Sequence, residues 1–101
     1  MDFEYKHSLS IEDARNRLKA LGEYLCNRHG IQASWVDEDT VKFSGKYMVV
    51  EVEGEMRNAP GTVRFQGKDP GFLFRKKAQT YILGKLEKYL NPTTAADSLP
   101  R

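Results

Sequence analysis

Residues 41–65, VKFSGKYMVVEVEGEMRNAPGTVRF, alternate apolar and polar side chains over much of their length. A period of two is typical of strands with one buried face and one solvated face. The predicted buried face of the segment 47–56 carries Met48, Val50, Val52 and Met56. The run NAPG at 58–61 is typical of a turn between strands. With a further strand signal at 31–36, the stretch therefore predicts four consecutive antiparallel strands with one buried face.

The segment before these strands predicts a long helix. Ser10 is a good N-cap, and Asp13 adds negative charge at the positive end of the helix dipole. One apolar stripe follows at spacings of three and four, made by Ile11, Ala14, Leu18, Leu21 and Leu25. Gly30 is a natural end for this helix. Gly22 interrupts the pattern and predicts close contact with another backbone.

A second helix is predicted after the strands, from about residue 70 to residue 90. Asp69 is a candidate cap, and Pro70 suits the first helical position. Asn91-Pro92 ends the segment, because proline disfavours helical backbone in the residue before it. Phe3 and Tyr5 alternate with charged residues and add a short strand at the start of the chain.

The predicted order is therefore β-α-β-β-β-β-α, which defines the α+β class. We expect a curved antiparallel sheet with both helices on one face, in a small helix-grip or half-saddle arrangement. Residues 1–92 would form a single domain. Residues 93–101 offer little to pack and predict a disordered tail.

Composition excludes several classes of protein. The 101 residues contain one cysteine, Cys26, which excludes an internal disulfide and a cysteine-based zinc site. No apolar run approaches the roughly 20 residues of a membrane span, and the opening MDFEYKHSLS has no apolar signal region. These features predict a cytoplasmic protein. The net charge of +2 is too small to indicate nucleic-acid binding by itself.

No catalytic site is predicted, so we expect a protein that is not an enzyme and has no metal or cofactor. His7 lies just before the first helix, where holding the helix start explains it better than a nucleophile–base pair. Cys26 and His29 are too few for a closed zinc site. Glu51, Glu53 and Glu55 share one strand face, and pairing with arginines on a solvated face explains them better than acid–base chemistry.

The start of the second helix carries the strongest signal for partner binding. Apolar and basic residues are adjacent there, and the candidate contact residues are Phe72, Phe74, Arg75, Lys76, Lys77 and Lys85. Such a junction suits an anionic or amphiphilic surface. The same cations, with Phe74 or Tyr81 as stacking groups, could serve nucleic acid instead. A simpler alternative places the aromatic rings in the core and the lysines in water.

A cavity between the sheet and the second helix is a separate hypothesis, because folds of this shape often leave such a gap. Its candidate lining residues are Trp35, Met48, Met56 and Tyr81.

Three short motifs resemble a known family. They are His7-Ser8-Leu9, the helix start with Glu12, Ala14 and Arg15, and the strand of Trp35 after Gly30. Over about residues 5–90 the chain resembles the polyhydroxyalkanoic acid system family, also called polyhydroxyalkanoate granule region proteins. The middle of the chain, residues 45–72, resembles it only loosely. The resemblance implies association with storage-polyester granules in a bacterial cytoplasm, with the granule surface as one location, and it implies no catalytic residues.

Three functions follow as hypotheses. The first is a non-enzymatic binding module whose partner is the polyester granule surface or a granule-associated protein. The second is binding of a small apolar ligand or lipid between the sheet and the C-terminal helix. The third, and least favoured, is nucleic-acid binding through the basic helix. A homodimer is left open by the sequence.

Overall fold

The computed structural model describes residues 1–101 and confirms the predicted order of elements. The strands are β1 (Asp2–Lys6), β2 (Gln32–Asp37), β3 (Thr40–Tyr47), β4 (Val50–Ala59) and β5 (Thr62–Gly67). The helices are α1 (Ile11–His29) and α2 (Phe72–Tyr89), followed by a short 3-10 helix at Ala96–Ser98.

The five strands form one antiparallel sheet in the order β1-β5-β4-β3-β2. Strands β2 to β5 are a meander of consecutive hairpins, and β1 pairs with β5 at the other edge. Helix α1 therefore connects the two edge strands, and the alternating apolar side chains of the strands form a core with it. The α+β prediction is confirmed.

Helix α1 begins and ends as its sequence predicts. The Ser10 hydroxyl accepts a hydrogen bond from the Asp13 N–H at 3.1 Å, and Gly30 ends the helix with a left-handed φ of 68°. The stripe residues Ala14, Leu18 and Leu21 are fully buried. A Cβ on Gly22 would lie 3.3 Å from the Cβ of Ala33 on β2, so this glycine permits a close approach of helix and strand.

Helix α2 begins two residues later than predicted, because Asp69 is not its cap. The Asp69 carboxylate accepts a hydrogen bond from the Gly71 N–H at 2.9 Å and pairs with Arg75 at 2.6 Å. This local turn occupies the carboxylate, so Gly71 becomes the N-cap without a side-chain hydrogen bond. Within α2 only Leu86 and Tyr89 are fully buried, and both lie in its C-terminal half.

Arg17 joins the end of α2 to α1. Its side chain is buried, its Nη1 donates to the carbonyls of Tyr89 and Asn91 at 3.2 and 3.0 Å, and its Nε donates to Asp13 at 2.8 Å. The Tyr89 carbonyl is one that the end of a helix leaves without an intrahelical partner, and Asn91 follows just after the helix. The C-terminal half of α2 is therefore fixed to the body of the protein.

The last residues differ from the predicted disordered tail. Leu99 is 4% exposed and belongs to the hydrophobic core. The Tyr89 hydroxyl donates to the Pro100 carbonyl, and Arg101 lies 3.4 Å from Glu23 of α1. The C-terminal segment therefore packs against the two helices, with Leu99 buried in the core.

The turn between β3 and β4 lies where the sequence predicted a strand. Tyr47 pairs with Val50, which leaves Met48 and Val49 as a two-residue turn. Met48 has a φ of 58°, the only positive value at a residue other than glycine. The prediction that Met48 lies on the buried strand face is therefore wrong, and Tyr47 ends one strand instead of starting the next.

Candidate ligand cavity

An apolar cavity of about 440 Å³ lies between the N-terminal half of α2 and the sheet. This volume lies within the roughly 300–1,000 Å³ that is typical of small-molecule sites. Fourteen of its fifteen lining residues are hydrophobic. The lining residues are Leu25, Ile31, Phe43, Tyr47, Met48, Val49, Val50, Val52, Met56, Phe65, Phe74, Lys77, Ala78, Tyr81 and Ile82.

The roof of the cavity is one face of α2. Phe74, Lys77, Ala78, Tyr81 and Ile82 follow the spacing i, i+3, i+4, i+7, i+8 that places side chains on one side of a helix. The C-terminal half of the same helix packs into the core. The cavity therefore lies under the N-terminal half of α2, which has no fully buried residue.

The floor of the cavity depends on two glycines that pair across β4 and β5. A Cβ on Gly54 would lie 2.6 Å from the Phe65 ring, and one on Gly67 would lie 2.8 Å from it. Both distances are far below a normal contact, so the ring lies directly against the sheet backbone at these positions. Any larger residue would push Phe65 towards the helix and into the cavity.

Four exposed apolar side chains belong to the two segments next to the cavity lining, and we call them the rim: Met48, Val49, Phe72 and Leu73. Met48 and Val49 form the β3–β4 turn and are 83% and 79% exposed, while Phe72 and Leu73 in the first turn of α2 are 80% and 72% exposed. The next residue, Phe74, lines the cavity. Clustered exposed apolar side chains are typical of interaction sites.

The one charge in the lining of the cavity is positive. Lys77 is the one charged residue of the lining, and neither it nor Lys76 takes part in an ion pair. Arg75, in contrast, is held by Asp69. Among the predicted partner-binding residues, Phe72 and Lys76 are therefore exposed outside the lining, Phe74 and Lys77 line the cavity, and Arg75 is paired.

Lys85 lies apart from the other predicted contact residues. Its Nζ lies 4.4 Å from the centroid of the Tyr24 ring and 5.5 Å from that of Tyr81. It also donates to the Tyr24 hydroxyl at 3.3 Å. These contacts hold Lys85 in an aromatic cluster between the two helices, away from the mouth of the cavity.

The same aromatic cluster closes one side of the cavity. Tyr47 and Tyr81 pack with ring centroids 5.3 Å apart, and His29 meets Tyr47 edge-on at 4.6 Å. Burial raises the pKa of Tyr81 to about 12, and its hydroxyl is buried without a hydrogen-bond partner. Tyr81 is therefore a neutral phenol at ordinary pH and offers no base.

Three of the four predicted cavity residues line the cavity, namely Met48, Met56 and Tyr81. Trp35 does not, because it lies on β2 beneath α1, with the Nζ of Lys19 5.9 Å from its ring centroid. The prediction for Trp35 is wrong. Sequence reasoning also missed Phe65 and its two glycines; the one signal was Gly54, which interrupts the alternation of β4.

The residues that the sequence analysis considered for catalysis or metal binding are in hydrogen bonds, ion pairs or aromatic contacts, or lie exposed on the surface. The Nδ1 of His7 accepts a hydrogen bond from the Leu9 N–H at 3.1 Å, and burial lowers the pKa of this histidine. Glu51 lies 3.6 Å from Lys68, and Glu55 lies 3.4 Å from Arg57. Cys26 is exposed. No group of three or more His, Cys, Asp or Glu side chains could hold a metal ion, and neither helix has the length and hydropathy of a bilayer span.

Arg15, one of the family-like residues, has a clear structural partner. Its guanidinium makes two hydrogen bonds to Asp39 at 3.0 and 3.2 Å, and Asp39 also accepts from Asn58 at 3.0 Å. The bonds to Arg15 hold the pKa of Asp39 below its usual range. The pair ties the β2–β3 turn to the start of α1.

The fold and the cavity together define a small α+β protein with an apolar cavity under its C-terminal helix. A family profile matches residues 1–93 of the chain. The chain belongs to the polyhydroxyalkanoic acid system protein family. No curated protein matches the chain, and no solved structure matches it.

Proposed function

We propose that the protein is a non-enzymatic binding module of the polyhydroxyalkanoic acid system that takes an apolar ligand into the cavity. The observation that carries this proposal is the cavity itself, with its fourteen hydrophobic lining residues. Membership of the family supports a setting at polyester granules in the cytoplasm.

Apolar walls favour an apolar ligand for a physical reason. Water inside such a cavity finds few hydrogen-bond partners, so the cavity is a poor site for water. A ligand chain that enters removes its own apolar surface from water, worth about 25 cal/mol for each Å² that is buried. No nucleophile and base are brought together at the cavity, which supports binding in preference to catalysis.

Displacement of a neutral apolar dye tests this function. We expect Nile red to bind the full chain with enhanced fluorescence and dodecanol to displace it. Ala78→Phe would fill the cavity from α2 and weaken dye binding at least fivefold, because the added ring takes the ligand's place. Thr80→Phe adds the same ring to an exposed position of the same helix and should leave dye affinity unchanged. Equal dye affinity in both variants would contradict cavity binding.

A second candidate function, docking on the granule surface, is favoured by the rim. Its four apolar side chains are exposed, and two of them, Phe72 and Leu73, lie within one helical turn of the unpaired Lys76 and Lys77. Adjacent apolar and basic side chains suit contact with an apolar, anionic surface. Nucleic-acid binding has less support, because Phe74 lines the cavity and Lys85 lies against two tyrosine rings.

Sedimentation with poly(3-hydroxybutyrate) particles tests the docking function. The double change Phe72→Ser and Leu73→Ser should reduce the bound fraction, because it removes half of the rim. The matched control is Val36→Ser, which removes an exposed apolar side chain from β2, outside the cavity lining. Equal sedimentation of the rim variant, the control and the unaltered protein would contradict docking through the rim.

A further inference from the structure

Lys77 occupies a position in α2 where the pattern of the helix calls for an apolar residue. Phe74, Ala78, Tyr81 and Ile82 share its face, and together they form the roof of the cavity. A lysine inside an otherwise apolar stripe can bury its methylene stem while its ammonium group stays in water. Lys77 is exposed and also part of the lining, so it lies where the cavity wall meets solvent.

No carboxylate of the protein neutralises this lysine. The lining contains no acidic residue, and Lys77 takes part in none of the ion pairs. The acidic side chains of β4 alternate with the lining residues Val50 and Val52, so Glu51 and Glu53 lie on the opposite face of the sheet.

From this arrangement we infer that the ligand of the cavity is an anionic amphiphile. Its hydrocarbon chain lies among the apolar walls, and its carboxylate or phosphate head pairs with Lys77 at the mouth. The inference rests on the proposed apolar-ligand function and specifies the chemical class of the ligand. A neutral polyester segment or an alcohol would fill the same walls and leave Lys77 unpaired.

Three probes share one twelve-carbon hydrocarbon tail and differ in their head group: dodecanoate, dodecyl phosphate and dodecanol. Their affinities therefore separate the contribution of the head group from that of the tail. Each is titrated into the full chain below its aggregation concentration and at low salt, where an exposed ion pair is least screened. We expect dodecanoate or dodecyl phosphate to bind about threefold to tenfold more tightly than dodecanol, the range of a single charge-assisted contact. The tighter of the two anions identifies the head as a carboxylate or a phosphate.

Two matched variants assign the effect to Lys77. Lys77→Gln should bring the affinities for the anions and the alcohol to within about twofold of each other, whereas Lys76→Gln, one residue away and outside the lining, should keep most of the preference. Thermal unfolding of both variants checks that the fold is intact.

The possible results test the anionic head group separately from the proposed binding of an apolar ligand. Equal binding of all three probes by the unaltered protein would overturn the anionic ligand and leave the apolar cavity standing. A preference for anions that Lys77→Gln and Lys76→Gln reduce equally would overturn the specific role of Lys77. Binding of none of the three probes would remove the proposed function itself.

Discussion

His7 shows at the scale of one residue how a possible catalytic group serves the start of a helix. Its Nδ1 accepts the Leu9 N–H, and its Nε2 is buried without a partner. Burial lowers the pKa of His7 below its ordinary value of 6.5, because the charged imidazolium would lose its hydration. A protonated ring could not accept the Leu9 N–H, so the fold favours the neutral form.

The stability of the protein should therefore depend on pH through His7. Because the folded pKa is lower than the unfolded pKa, its contribution is complete above pH 6.5 and declines as the pH falls towards the folded pKa. His7→Asn can accept the same N–H through its side-chain oxygen and does not titrate. We expect urea unfolding to show a smaller loss of stability between pH 7 and pH 5 for His7→Asn than for the unaltered protein. Equal losses would contradict this role.

Met48 has a left-handed backbone conformation, which a residue with a side chain rarely adopts. A left-handed φ costs an L-residue about 1–2 kcal/mol, and glycine avoids this cost. Met48→Gly should therefore raise the free energy of unfolding by about 1 kcal/mol while it weakens Nile red binding, since a lining residue is lost. Val49→Gly, the neighbouring control without a positive φ, should lower stability by about 0.5–1 kcal/mol. A Met48→Gly protein less stable than the unaltered one would contradict the strain.

The two helices differ in how much their sequences reveal. The stripe, cap and terminal glycine of α1 agree with one another, and the structure follows them. The apolar residues Ala78, Ile82, Leu86 and Tyr89 of α2 also share one face, although the pattern is weaker. Ala78 and Ile82 line a cavity, whereas Leu86 and Tyr89 are buried. The same period describes both halves, because the pattern specifies a face of the helix and not its distance from the sheet.

Arg17 fixes the C-terminal end of α2 against α1. It is a buried charged residue inside the apolar face of α1, and its three hydrogen bonds reach Asp13, Tyr89 and Asn91. Arg17→Met keeps the volume and removes the bonds, so it should destabilise the protein by about 2–3 kcal/mol, as the loss of charge-assisted hydrogen bonds does. Arg15→Met is an instructive comparison, since Arg15 pairs with Asp39 in a more exposed place and should cost less. If Arg17→Met unfolded in urea with the same free energy as the unaltered protein, the hydrogen bonds of Arg17 would not contribute to stability.

At the scale of the whole molecule, the order of the strands and helices was predictable from local patterns, whereas the cavity arises from long-range packing. The ring of Phe65 lies against the Gly54–Gly67 pair only because β4 and β5 pair in that register. Trp35 is the opposite case: its strand was predictable from the local pattern, but its position relative to the helices was not. The Trp35 side chain lies under α1 at the far edge of the sheet. Alternation assigns a residue to a face, and only the assembled sheet shows which helix covers it.

The position of the tail has the same origin. Residues 93–101 have little apolar content, and their sequence alone predicts disorder. Leu99 is nevertheless buried, because α1 and α2 together create a site that neither helix displays by itself.

The central claim, that the cavity receives an apolar chain, is tested most directly by the methyl signals of the three methionines. Met48 and Met56 line the cavity, whereas Met1 lies outside its lining and serves as an internal control. With ¹³C-methyl methionine and a titration of dodecanoate, we expect saturable shifts at Met48 and Met56 and an unchanged signal from Met1. Shifts confined to Met1, equal shifts at all three methyls, or no shift at any of them would contradict the claim.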